Sequence, residues 1–109
     1  MARAATTTDA FNAVAEPRRR QLLDLLAAGE APVSDLVDRL GVAQPVVSKH
    51  LRVLREVGLV RVREDGRQRM YSVDPEPLRP IHEWLQSYAE LWSQRLDLLA
   101  DVVAEMGDQ

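Results

Sequence analysis

The sequence predicts a mainly α fold with one small β-hairpin, in the α+β class, and three observations lead to this prediction. Apolar residues recur at helical spacing through most of the chain, in segments bounded by proline, glycine and capping side chains. A single stretch, residues 59–73, changes to an alternating pattern around an Asp-Gly turn. The length of 109 residues, with 46% hydrophobic residues, suits one domain with a modest core, which we expect over residues 9–109.

Two helices are predicted near the start of the chain, after a leader at residues 1–8 that we expect to be disordered. Thr8 can cap a short helix through Asp9–Ala15. Pro17 begins a second, leucine-rich helix that ends at Gly29.

Three consecutive arginines, Arg18–Arg20, fall in the first turn of the second helix. Positive charge at that end opposes the helix dipole, so a compensating interaction is expected. It can be a phosphate contact, an ion pair with Glu16 or Asp24, or a solvated face.

The next two helices form a helix-turn-helix pattern. Ser34 is the expected cap of a short helix at Asp35–Leu40, which Gly41 ends. A helix over residues 44–57 follows closely, begins with a Gln-Pro pair and ends before Gly58. Two helices joined by a tight, glycine-containing turn, the second of them basic, are typical of DNA-binding units.

The helix at residues 44–57 separates apolar from polar residues. Its expected core-facing residues are Val46, Val47, Leu51, Leu54 and Val57. A polar, basic opposite face fits the major groove of DNA, although a solvated amphipathic helix is commoner when such a helix stands alone. We expect Ser48, Lys49 and Arg52 to reach base edges or nearby phosphates, and Gln44 to reach adenine from the helix start.

Residues 59–73 are predicted to form a hairpin attached to this helix, a β-wing. Val60 and Val62 alternate with arginines, and Asp65-Gly66 is a turn signal. The return strand places Tyr71 on the face of the two valines. Arginines at the tip would suit phosphate or a narrow minor groove.

The predicted DNA contacts come from the basic helix and the wing tip, and local charge supports them. They are Gln44, Ser48, Lys49, His50, Arg52, Arg55, Arg67 and Arg69. For His50 a packed or hydrogen-bonded structural role is equally open. Residues 44–69 carry seven Lys or Arg against three acidic residues, a charge of +4, although the whole chain carries −3 and residues 74–109 carry −6.

The last predicted helix, residues 75–106, follows a capping Asp74 and is broken or kinked by Pro80. Its apolar stripe is wider than the small core can cover, so we expect it to pair with a second copy, together with the first helix. The predicted dimer interface is Phe11, Val14, Trp84, Leu85, Tyr88, Trp92, Leu96 and Leu99. Two alternatives stay open: the aromatic residues can line a small apolar effector pocket, or the helix can bind a different protein.

Composition excludes several classes of protein. Cysteine is absent, which excludes disulfides and thiolate metal or redox chemistry. No uninterrupted apolar run reaches about 18 residues, and the N-terminus has no signal-peptide pattern, so we expect a cytoplasmic protein with no membrane partner. No paired nucleophile and base, glycine-rich phosphate loop or cofactor signature occurs, so we expect neither an enzyme nor a bound cofactor.

Two segments, DAFNAVAEPRRRQLLDLL and DLVDRLGVAQPVVSKHLRVLREVGLVRVREDGRQRMYSV, resemble the winged helix-turn-helix repressors of the ArsR type over about residues 9–92. The resemblance implies a homodimer bridged by terminal helices, with each basic helix in a major groove and the wing near the adjacent minor groove. It also implies transcriptional repression that an effector relieves. We therefore predict a homodimeric, sequence-specific regulator that reads an inverted repeat in double-stranded DNA.

The chain departs from the metal-sensing proteins of that type. Those proteins typically carry a Cys-x-Cys pair where this chain has Pro32 and Ser34, which do not bind a thiophilic metal. In the terminal helix, His82, Glu83 and Glu90 make a poor zinc site without more ligands. We predict no metal site and leave a small-molecule effector open. The alternatives are a metal-responsive repressor with terminal-helix ligands and a protein-interaction or architectural module.

Overall fold

A computed structural model describes residues 9–107 and confirms a mainly α fold with a small antiparallel sheet. Its α-helices are α1 (Ala10–Val14), α2 (Pro17–Ala28), α3 (Val33–Leu40), α4 (Gln44–Glu56) and α5 (Arg79–Gly107). Its strands are β1 (Ala31–Pro32), β2 (Val60–Asp65) and β3 (Gln68–Val73). The chain divides into two compact units between Arg79 and Pro80. The predicted leader, residues 1–8, lies outside the described residues.

Helix α1 is capped by Asp9, whose Oδ1 accepts a hydrogen bond at 2.8 Å from the backbone N–H three residues later. The cap predicted at Thr8 lies outside the described residues. The helix buries Ala10 and Ala13, while Phe11 is 43% exposed. The first unit therefore buries the small residues of α1 and leaves its largest apolar side chain accessible.

Two of the three consecutive arginines in α2 close the end of α1. The Arg19 guanidinium donates hydrogen bonds to Ala13 O at 2.6 Å and to Asn12 O at 3.1 Å, and Arg20 donates to Val14 O at 2.6 Å. The last carbonyls of a helix lack intrahelical partners and form its negative end. The cations that oppose the dipole of α2 therefore complement the dipole of α1. The ion pair with Glu16 or Asp24, one of the three alternatives expected from the sequence, does not form within residues 9–107.

A short strand that the sequence pattern did not reveal lies between α2 and α3. β1 pairs antiparallel with β3, with Ala31 opposite Tyr71, which gives the sheet order β1-β3-β2. Helix α3 starts immediately afterwards at Val33, with the extended residue Pro32 as its N-cap. Ser34 therefore lies inside the first turn, and the prediction that it caps the helix is wrong.

β2 and β3 form the predicted hairpin around Gly66, whose φ of 64° is the left-handed conformation that a tight hairpin turn needs. Val62 lies directly opposite Tyr71. Residues directly opposite each other share a face of the sheet, so the predicted common face is confirmed. Tyr71 and Val60 are both buried on it.

The core of the first unit lies where α2, α3 and α4 meet the base of the hairpin. The side chains buried most completely are Leu22, Leu36, Val47, Leu51, Leu54 and Leu59. Two glycines in the left-handed conformation end the helices of the helix-turn-helix. Gly41 follows α3 with a φ of 68°, and Gly58 follows α4 with a φ of 81°. Both were predicted as helix stops, and α4 is held against the core between them.

Helix α5 forms the second unit and runs for 29 residues without a break. Asp74 accepts the Glu76 N–H at 3.0 Å as a cap should, but residues 76–78 form a 3₁₀ turn and α5 begins at Arg79 rather than at residue 75. Pro80 does not break the helix, because it lies in the first turn, where its missing N–H has no intrahelical role. None of its residues is buried. No helix in residues 9–107 is long and apolar enough to cross a membrane.

Candidate nucleic-acid interface

Helix α4 buries one side and leaves its predicted reading face in solvent. The buried side carries Val47, Leu51 and Leu54, each at most 1% exposed. Ser48 and His50 are half-buried. The exposed members of the predicted set on this helix are Gln44, Lys49, Arg52 and Arg55. The apolar side thus holds the helix in place while its cations stay accessible to a ligand.

One apolar residue of α4 lies on the exposed side. Val46, which we predicted in the core, is 41% exposed, whereas Val47 is 0% exposed. Successive residues of an α-helix are separated by about 100°, so two adjacent valines cannot both point at the centre of the core. The assignment of Val46 to the core is wrong.

His50 is turned toward α2. Its Nδ1 lies 3.5 Å from the Arg19 guanidinium. Burial, and after it the positive charge of Arg19, lower the pKa of His50 below its ordinary value and so favour the neutral ring. This contact supports the structural alternative for His50 over a charged contact with phosphate.

Two wing arginines are engaged by acidic partners at the base of the hairpin. Arg61 lies 2.7 Å from Asp74. Arg63 makes a bidentate pair with the carboxylate of Glu30, which precedes β1, and its Nε–Oε2 distance is 3.0 Å. The hydrogen bond from Arg63 is the main cause that lowers the pKa of Glu30. These pairs neutralise two of the seven cations that give residues 44–69 their local charge.

The arginines at the wing tip are less constrained. Arg69 is 50% exposed, and its Nε lies 3.9 Å from a Glu64 carboxylate oxygen. Its guanidinium carbon lies 5.9 Å from the centroid of the Tyr71 ring. No salt bridge engages Arg67 within residues 9–107. The free positive charge of the wing is therefore concentrated at its tip.

An open cleft of about 360 Å³ lies between the start of α4 and the wing tip. It brings Gln44 and Ser48 of α4 to the same site as Arg67 and Arg69. Its lining also includes polar residues that sequence reasoning missed, Ser34 and Gln68. Ser34 does not cap α3, and it is exposed. Hydroxyl, amide and guanidinium donors are the groups that contact the DNA backbone.

The predicted dimer residues lie on α1 and on α5. Val14 is half-buried. The others are exposed: Phe11, Trp84, Leu85, Tyr88, Trp92, Leu96 and Leu99. Trp84 and Tyr88 are in edge-to-face contact, with ring centroids 5.5 Å apart. In the described part of the chain, no three His, Cys, Asp or Glu side chains are grouped so that they could hold a metal ion.

Known proteins similar to this chain are regulators. A family profile described as "Bacterial regulatory protein, arsR family" matches residues 16–62. The HTH-type transcriptional regulator Rv2034 of Mycobacterium tuberculosis is 34% identical over 91% of this chain and 90% of its own length. A probable mercury resistance operon repressor of Streptomyces lividans is 42% identical over 64% of this chain and 57% of its own length.

A solved structure similar to this one is the homodimeric winged helix-turn-helix DNA-binding domain, fragment 1–100, of a possible ArsR-family transcriptional regulator from Mycobacterium bovis. It superposes with a TM-score of 0.58 at 33% sequence identity, covering 72% of each chain.

Proposed function

The chain belongs to the ArsR family of bacterial regulatory proteins, whose members are DNA-binding transcriptional regulators, and from that premise we propose that it is a homodimeric repressor that reads an inverted repeat. In each half-site α4 enters the major groove, and the wing lies on the adjacent backbone or minor groove. An α-helix with its side chains is about 10–12 Å wide, which matches the width of the major groove.

The observation that carries this proposal is the polar surface that runs from the exposed face of α4 across the cleft to the wing tip. Gln44 and Ser48 lie on the α4 side of the cleft, and Arg67 and Arg69 on the wing side. A phosphate strand that passes through the cleft receives donors from both sides. The wing would then fix the position of the helix on the duplex, and the helix would carry the sequence preference.

Base recognition is assigned to the exposed residues of α4. No salt bridge within residues 9–107 engages Lys49 or Arg52, so neither must break an ion pair before it meets DNA. An arginine can make two hydrogen bonds to guanine, and a glutamine can do the same to adenine. We therefore assign Arg52 and Gln44 to base edges, Lys49 and Ser48 to bases or nearby phosphates, and Arg55 to phosphate.

The apolar face of α5 supports the dimer. Trp84 is 52% exposed, Trp92 55% and Leu99 59%. An apolar stripe of this length on one helix marks an interaction surface, and the similar Mycobacterium bovis domain is described as homodimeric. A two-fold dimer presents two copies of α4 related by the same axis, which is why an inverted repeat is the expected target.

The signal that releases the DNA is proposed not to be a thiolate-bound metal. The relative from Streptomyces lividans is named as a mercury resistance operon repressor, but this chain contains no cysteine. Mercuric ion should therefore leave the DNA complex unchanged. A zinc titration tests the alternative of terminal-helix ligands: a stoichiometric loss of DNA affinity that a His82→Ala variant abolishes would support metal sensing.

Selection of duplexes from a random library, followed by footprinting, tests the main proposal. We expect enrichment of an inverted repeat whose half-site centres lie about 10 base pairs apart, with two-fold symmetric protection. Affinity should fall steeply with salt, because phosphate contacts release counterions. Failure to enrich any sequence, or a protected region without two-fold symmetry, would overturn it.

A further inference from the structure

Val46 is an apolar residue that the fold does not use. It lies in the first turn of α4 and is 41% exposed, next to the fully buried Val47. Pro45 beside it is also exposed, but its ring has a structural reason to be there, because proline suits the start of a helix. Neither capping nor core packing requires a branched apolar side chain at position 46.

The position of Val46 on α4 places it among the proposed base-reading residues. Lys49 follows it by three residues, and side chains three apart on a helix are neighbours whose Cβ atoms lie about 5–6 Å from each other. The N-terminal residues of a recognition helix are the ones that reach base edges. Gln44 and Ser48 face the cleft, whereas Val46 lies on the other flank of the exposed face. If Lys49 reaches a base or its phosphate, Val46 lies within one or two base pairs of it.

The chemistry of Val46 restricts what it can contact in the groove. Its side chain neither donates nor accepts a hydrogen bond. Most groups on the floor of the major groove are hydrogen-bonding atoms, and the apolar group that unmodified DNA offers there is the C5-methyl of thymine. A polar base edge pressed against Val46 would lose water without gaining a partner, which is unfavourable. A thymine methyl would instead bury apolar surface on both sides.

We propose that Val46 contacts the C5-methyl group of a thymine in each half-site and so selects a T·A pair at that position. This inference rests on the proposed function, since it takes α4 to be the helix in the major groove. It adds a residue to the predicted contacts and states which base that residue prefers.

Replacing thymine by deoxyuridine tests the contact, because it removes the methyl group and leaves every hydrogen-bonding atom in place. The probe is the duplex recovered by selection with the full-length protein, in which each thymine is replaced in turn by deoxyuridine. At one thymine per half-site we expect the wild-type Kd to rise about fourfold, the value for one buried methyl group. Val46→Ala removes the contact from both half-sites of the proposed dimer, so it should weaken binding to the thymine duplex by up to about sixteenfold. It should also bring the ratio of the Kd values for the deoxyuridine and thymine duplexes close to one.

Val53→Ala is the matched control, since Val53 lies two turns further along the same helix and is half-buried. Any effect of that change on packing should alter the Kd of both duplexes equally and preserve the ratio. Because Val46 is exposed, the Val46→Ala protein should keep the wild-type melting temperature.

Three results would overturn the inference while leaving the proposed function intact. The wild-type protein could bind every deoxyuridine duplex as tightly as its thymine parent. The Val46→Ala variant could keep the full preference for thymine, or Pro45→Ser could abolish it instead. If selection enriches no sequence at all, the proposed function itself fails, and the assignment of Val46 fails with it.

Discussion

Helices α4 and α5 are both amphipathic, but they differ in what covers their apolar faces. In α4 the apolar residues Leu51 and Leu54 are at most 1% exposed. In α5 the two tryptophans are each more than half exposed, and no residue of the helix is buried. The same sequence pattern thus describes a helix whose apolar face is buried within the chain and a helix whose apolar face is exposed, which we propose is covered by a second copy.

The difference separates two kinds of stability. Burial of α4 holds the reading surface in a fixed orientation before DNA arrives, so α4 pays little ordering entropy on binding. In the proposed dimer, burial of α5 would depend on protein concentration, because it requires a second molecule. A substitution in the buried face of α4 should therefore destabilise the folded protein. A substitution in the apolar face of α5 should first dissociate the proposed dimer.

Leu51→Ala should produce the largest effect and would break the α4 side of the comparison. Removing a fully buried leucine loses apolar burial and leaves a cavity, so we expect the free energy of unfolding to fall by about 2–5 kcal/mol. Thermal or urea unfolding measures it. Val46→Ala on the same helix is the control and should change stability by less than about 0.5 kcal/mol. Equal effects of the two changes would mean that α4 is not held as described.

Trp92→Glu tests the α5 side. A charge in the middle of the apolar face should weaken dimerisation by about tenfold or more, as expected for a central aromatic of an interface. Sedimentation velocity across a concentration series measures this, and Gln94→Glu, the same new charge on the opposite side of the helix, should leave the dimer unchanged. A Trp92→Glu protein that sediments like the wild type would remove this part of α5 from the interface.

Arg52→Ala changes the exposed side of α4 and tests whether that side contributes to DNA binding rather than to stability. We expect binding to the selected duplex to weaken by about 1–3 kcal/mol with dimerisation and melting temperature unchanged, because the side chain is exposed and is proposed to contact DNA. Arg52→Lys keeps the charge but loses the planar, two-donor geometry. It should retain the salt dependence of binding and lose sequence preference at one base pair. A monomeric Arg52→Ala protein would contradict the assignment.

Glu30→Gln should have the smallest effect, on the link that joins the wing to the rest of the first unit. The folded-state pKa of Glu30 is lowered, chiefly by the hydrogen bond from Arg63, so the pair stabilises the folded state above the ordinary pKa of glutamate. That stabilisation is lost as the pH falls through the lowered value. The wild type should therefore melt slightly above Glu30→Gln at pH 7, and the difference should vanish in acid. Asp65→Asn, which alters a weaker contact of Arg63 at 3.9 Å, is the control. If the difference in melting temperature between the wild type and Glu30→Gln persisted at low pH, it would have a cause other than the Glu30–Arg63 pair.

Local signals in the sequence were sufficient for most of the fold. Pro17 marks a helix start because its ring fixes φ, and Gly41 and Gly58 mark helix ends because glycine adopts the left-handed conformation at little cost. The meaning of these residues does not depend on distant parts of the chain. The Asp-Gly turn has the same property. Each of these was predicted correctly, and together they place α4 and the wing next to each other.

What the sequence did not reveal depends on residues that are far apart. β1 has only two residues and exists because it pairs with β3, and the Arg63–Glu30 pair joins residues 33 positions apart. Apolar periodicity assigned Val46 and Val47 to one face, although the 100° step of a helix allows only one of them a central place. The local charge of +4 also overstates the number of cations that are free to meet DNA, because a count of residues does not show which arginines are paired with acidic side chains.

The sheet order also has a consequence for solubility. β3 lies between its two partners, so β1 and β2 are the edge strands, and β2, with six residues against two, has the longer open edge. An open edge can pair with a strand of another chain and begin aggregation, and charged side chains oppose this. Four of the six residues of β2 are charged. The two arginines and two acidic residues of this strand should therefore keep the protein from assembling edge to edge through β2.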